Sequence, residues 1–174
     1  VEVNTISTLT PFLISFIASD DIERVEFVHG PASTMYGANA YSGVLSITTK
    51  RAAEPGLTSW AKILGGEWDN LLVSVGTLGK TGRWDYSLSA SSFFGASHSP
   101  YLRQDAMTSL GRGQIGYQFA TGQELIIRAS ISQSDVPGAA ALSFPSLTMY
   151  DLAADYRHGN WQLRSFLRHE NSET

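Results

Sequence analysis

The 174-residue chain predicts a mainly β fold. Two short strands near the N-terminus precede about seven antiparallel strands, each roughly ten residues long, of the kind that wall a transmembrane β-barrel. Three observations predict it. Apolar and polar residues alternate with period two, short and long connections alternate along the chain, and aromatic residues cluster beside the short ones. With 43% hydrophobic and 16% charged residues the sequence is not that of a disordered chain.

Taken in order, "PFLISFIA" (Pro11 to Ala18) is the longest apolar run, far short of the roughly 20 residues a membrane helix needs. "IERVEFVH" sets Ile22, Arg24, Glu26 and Val28 against Glu23, Val25 and Phe27, and "GVLSITTK" reads as a second short strand. Asp20 and Asp21 before the first strand suit an Asx turn rather than acid chemistry. Between the strands Gly30, Pro31, Gly37 and Gly43 punctuate a loop in which "ASTMY" makes a helical turn stopped by Gly37. Charge, proline and glycine then cluster in "KRAAEPG" (Lys50 to Gly56), which marks a boundary between residues 1–52 and 53–174.

Beyond the boundary, "TSWAKILGGE" and "NLLVSVGTLG" alternate loosely. "WDYSLSAS" alternates cleanly, with Trp84, Tyr86, Leu88 and Ala90 opposite Asp85, Ser87, Ser89 and Ser91. In "RGQIGYQF" Ile115, Tyr117 and Phe119 oppose Arg112, Gln114 and Gln118, and "ELIIRASISQ" sets Leu125, Ile127, Ala129 and Ile131 against Glu124, Arg128, Ser130 and Ser132. "YDLAADYR" separates Tyr150, Leu152, Ala154 and Tyr156 from Asp151, Asp155 and Arg157. The last segment, "WQLRSFLRHE", follows the rule except at Phe166, which falls on the polar face with Gln162, Arg164 and Arg168. "KTGR", "ATGQ" and "HGN" read as tight turns, whereas "GASHSPYLRQD" and "SDVPGAAALSFPSL" read as long loops. "EWDN" is a short connection on the long rim. Tight turns on one rim and long loops on the other are the habit of membrane barrels. A soluble antiparallel sandwich also alternates and stays open as an alternative.

Chemistry-bearing motifs are few. A net charge of −4 gives no basic footprint and argues against nucleic acid. Four histidines and no cysteine leave neither a zinc set nor a disulfide framework, and His29, His98, His158 and His169 lack ligand spacing. "GRGQIG" (Gly111 to Gly116) has dinucleotide-fingerprint spacing, and Asp135 lies about 20 residues further on, but a strand and a turn follow where a helix must open. "SVGTLGKT" (Ser74 to Thr81) approaches a phosphate loop, yet has Ser74 at its first glycine and no helix behind Thr81. No nucleophile with its base and no paired acids stand out, so the sequence predicts no enzyme, no cofactor and no catalytic or metal residue.

One stretch goes further. "IERVEFVHGPASTMYGANAYSGVLSITTK", Ile22 to Lys50, resembles the end of the plug domain of TonB-dependent outer-membrane receptors, whose pattern runs I-E-R-V-E, R-G-P, Y-G and G-V-I-N-I-x-T-K. The resemblance implies the C-terminal part of an α+β plug followed by the first strands of an incomplete transmembrane β-barrel, from a family whose barrels have roughly 22 strands. It implies a bacterial outer-membrane setting, contact with outer-membrane lipid, a small nutrient ligand such as a siderophore-iron complex or cobalamin, and energy from TonB. The segment that recruits TonB is expected to lie outside these residues, which read as an internal piece of a receptor.

By the same resemblance Arg24 matches an arginine that pairs with wall carboxylates to seat the plug. The second such arginine is His29 here, which would weaken that lock near neutral pH and make it pH-sensitive. Gly30, Pro31, Gly37 and Gly43 would shape the loop, and Met35, Tyr36 and Asn39 would meet ligand at the outer mouth. A non-energised barrel or adhesin-like surface protein with a borrowed plug segment is a further alternative.

Overall fold

The computed structural model describes residues 18–29, 43–67, 69–99, 102–135 and 146–173. Antiparallel strands dominate, and the described residues hold no α-helix. No helix among them is long and apolar enough to cross a membrane. The chain divides into two units, Val1–Lys50 and Arg51–Thr174.

In the first unit a 3-10 turn, Ser19–Asp21, leads into β1 (Ile22–His29), which pairs with β2 (Gly43–Thr49). The turn closes with Asp21 N–H donating to the Ala18 carbonyl, and Lys50 N–H then donates to the Asp21 carbonyl. The register runs from Ile22 opposite Thr49 to His29 opposite Gly43, with an irregularity between Ile22 and Arg24. Both predicted strands are therefore present. Ala32 to Tyr36, where the sequence suggests a helical turn, lies outside the described residues.

The second unit is a seven-stranded sheet in simple up-and-down order. Its strands are β3 (Gly56–Gly65), β4 (Leu71–Thr81), β5 (Trp84–Ser99), β6 (Leu102–Gln118), β7 (Glu124–Asp135), β8 (Ser146–His158) and β9 (Trp161–Glu173). Each pairs antiparallel with its sequence neighbour. The three tight connections have glycine where backbone geometry demands it. Gly122 sits at φ 78 and its N–H donates to the Phe119 carbonyl at 3.3 Å, so the loop ends in the left-handed residue of a bulged hairpin. Gly82, at φ 54, opens the turn that joins Thr81 to Trp84. On the other rim, the β3–β4 connection is closed by Gly66 N–H on the Asn70 carbonyl at 2.8 Å and by Asn70 Nδ2 on the Glu67 carbonyl at 2.7 Å.

One connection corrects the sequence reading. "GASHSPYLRQD" reads as a long loop, but β5 continues to Ser99 and β6 resumes at Leu102, with Ser99 opposite Leu102. The hairpin reaches 16 and 17 residues, well past the roughly 9–11 needed to cross a bilayer. A stretch with polar residues at successive positions loses its alternation in sequence, but the backbone ladder needs no apolar stripe to continue. The other expected long loop falls largely on 136–145, outside the described residues.

The two faces of the sheet invert the usual soluble arrangement. Asp85 is 4% exposed and Asp155 fully buried, whereas Leu88 is 60% and Leu163 70% exposed. Ser89, Arg112, Gln114, Ser132 and Ser134 are also buried on the polar face. A sandwich core would bury the apolar face against a second layer, and among the described residues its large side chains are open. The less clean alternation of β3 and β4 also has a cause: Trp60 lies on the polar face and its ring covers Gly76 of β4.

Candidate functional site: the polar face of the sheet

Alternation sends one residue in two of each strand to the polar face, and the register lines these residues up across neighbouring strands. Toward the tight-turn rim two adjacent rows carry charge: one sets Lys80 opposite Asp85 and Asp85 opposite Gly116, and the next sets Glu124 opposite Arg157. Arg51, just before β3, reaches into both. Its Nε and Nη2 donate to the two oxygens of Asp85 at 3.0 and 2.6 Å, and its Nη1 lies 2.8 Å from Glu124. Arg157 also approaches Glu124, at 3.5 Å. Burial opposes the Arg51 charge, but hydrogen bonds and charge from Asp85 and Glu124 outweigh it and hold its pKa above the ordinary arginine value. The sign follows: a raised folded-state pKa gives stability that is present below the ordinary value and lost only in strong alkali, so Arg51 stays charged at working pH.

Midway along β7 to β9 a second cluster forms. Asp155 accepts from Arg128 on one side and from Arg164 Nε at 2.8 Å on the other. Asp151 accepts from Arg168 Nε at 2.7 Å and from the Ser130 hydroxyl at 3.3 Å. A buried carboxylate flanked by arginines fixes register more than it adds net stability, because desolvation cancels much of the attraction. Phe166, the exception in the alternation, lies under the Arg168 guanidinium at 5.2 Å, a cation–π contact that gives an aromatic ring a use on a charged face. Two buried donors, Trp60 Nε1 and Gln114 Nε2, have no acceptor among the described residues.

The apolar face carries the complementary feature. Trp84 is opposite Tyr117 with ring centroids 4.5 Å apart, and Phe119 meets Tyr117 edge-on at 4.7 Å. Tyr117, Leu125, Tyr156 and Leu163 continue this row across β6 to β9, and Trp161 stands beside the last turn, 82% exposed. Such rings along one rim suit a headgroup girdle.

The sequence-derived site residues fare unevenly. Arg24 is exposed on β1 and pairs with Glu26 at 3.4 Å. His29 and Gly43 face each other across the first strand pair, so the segment between them leaves and returns at adjacent positions. Gly30, Pro31, Met35, Tyr36, Gly37 and Asn39 lie outside the described residues. Arg51 escaped sequence reading altogether, since its partner Asp85 stands 34 residues away; its only local signal was a basic pair at a boundary. No group of metal-ligating side chains forms among the described residues.

The sheet thus carries its paired charges on one face, with Trp60, Phe166 and the buried Leu110, Ile126 and Met149 among them, and an open apolar and aromatic surface on the other, with no assembled nucleophile or acid pair among the described residues. No curated protein and no solved structure matches the chain. Residues 1–44 match the family model described as the TonB-dependent receptor plug domain, a family of transport receptors. The match carries an outer-membrane context and TonB with it, and the chain is consistent with a TonB-dependent receptor in which plug sequence leads into an antiparallel sheet.

Proposed function

We propose that this chain forms part of an energised outer-membrane importer: residues 1–52 close a plug, and residues 53–174 begin the barrel wall around it. The observation that carries the reading is the inverted sheet, which follows directly after plug sequence. Buried arginine–carboxylate pairs would line the lumen, while exposed leucines and a ring of aromatics would face lipid. The cargo is a scarce nutrient such as a siderophore-iron complex or cobalamin. Met35, Tyr36 and Asn39, in the segment between His29 and Gly43, would meet it, and Gly30, Pro31 and Gly37 would shape that segment. Arg24, with His29 as its weaker neighbour, would seat the plug.

The test is uptake of labelled ferric chelates and cobalamin by cells carrying the intact protein, with and without TonB. Uptake of one cargo that disappears without TonB is expected. Solute passage that persists without TonB would overturn the energised reading and favour an open pore.

A further inference from the structure

The residues that enter the sheet from the boundary are anchored to it before the first strand begins. Arg51 makes a two-pronged bond to Asp85 of β5 and a third contact to Glu124 of β7. Two residues on, the Ala53 carbonyl accepts from Lys80 Nζ of β4 at 2.9 Å. Three strands therefore hold a segment that composition reads as a linker.

Gly116 of β6 completes the arrangement. A Cβ there would collide with the Asp85 carboxylate and sit 2.7 Å from Arg51 Nη2, so the bare backbone at this position leaves room for the ion pair. The fork geometry is also specific to arginine: its planar guanidinium matches both oxygens of a carboxylate, whereas a lysine offers a point charge.

We infer that Arg51 is a positioning residue, a clamp that fixes the chain to the polar side of the sheet where the second unit begins. The inference rests on the wall reading of residues 53–174. If the preceding unit shifts during transport, the movement is absorbed upstream of Arg51 and segment Arg51–Ala53 stays with the wall. A loose linker at the same place would let displacement spread into β3.

The test uses a nitroxide on Ala53→Cys, an exposed position, in the intact protein in outer-membrane vesicles. Heat-modifiable migration on gels reads the wall independently. In the native background the label is immobilised. In Asp85→Asn/Glu124→Gln it gains a fast component, with a several-fold shorter correlation time. Arg51→Lys, which keeps the charge but loses the fork, gives an intermediate spectrum and serves if the double variant does not fold. A label at Thr121→Cys stays unchanged throughout. An Ala53 label equally immobile in a heat-modifiable variant, or already mobile in the native background, overturns the clamp. A native protein without heat-modifiable migration overturns the wall reading first, and the clamp with it.

Discussion

Asp85 and Leu88 stand three residues apart on β5, yet one is almost wholly buried and the other mostly open. Across β5 to β8 the same contrast repeats, with Gln114 against Ile115 and Asp155 against Leu152. In a water-soluble sheet the hydrophobic effect would drive the reverse arrangement. On the proposed wall reading, the difference teaches that the sequence suits two solvents, with hydrocarbon on the apolar side and a polar interior on the other. Charges on the polar side are paired because burial leaves each one dependent on its partner. Side chains on the apolar side would, on the same reading, need no partner beyond lipid.

The largest expected effect attacks the polar face at its most buried point. Asp155→Ala removes the carboxylate shared by Arg128 and Arg164, whose side chains are 20% and 45% exposed, so the loss falls at the low end of the range for breaking a buried pair, about 3 kcal/mol. Denaturant unfolding in vesicles should show this loss, and a change below about 1 kcal/mol would mean that water screens this face.

Next comes the apolar face. Leu88→Arg places a charge against hydrocarbon and should cost about 2–4 kcal/mol if the position is near the bilayer midplane. Ser87→Asn, on the neighbouring polar-face position, should cost far less in the same assay. Equal costs for the two would erase the contrast between the faces.

The smallest effect concerns an exposed pair. Arg24 and Glu26 have side chains 63% and 50% exposed, so Arg24→Ala should change stability by no more than about 0–1 kcal/mol through that contact. A loss of several kcal/mol would instead support the seating role implied by the plug resemblance.

Much of the second unit was legible because alternation is a local property. "WDYSLSAS" and "ELIIRASISQ" announce both their strands and their faces, and glycine at Gly82 and Gly122 marks turns whose geometry excludes most residues. The extension of β5 and β6 was not legible. It depends on backbone bonds between two strands, and "ASHS" and "LRQD" carry no apolar stripe to report it. Nor was the Arg51 cluster, since its parts come from the boundary segment, β5, β6 and β7, and only the sheet register brings them together. The plug segment was legible by a different route, through an ordered set of short motifs rather than periodicity.

The inverted sheet is tested most directly by single nitroxides along β5, at Asp85, Tyr86, Ser87, Leu88, Ser89 and Ala90 in turn, in the intact protein in vesicles. Relaxation by oxygen, which partitions into lipid, is compared with relaxation by a water-soluble nickel chelate. Oxygen accessibility that peaks at Tyr86, Leu88 and Ala90 and falls at Asp85, Ser87 and Ser89 is the predicted result. A flat profile, or chelate access greatest at Tyr86, Leu88 and Ala90, would show that water covers the apolar face and would contradict the wall reading.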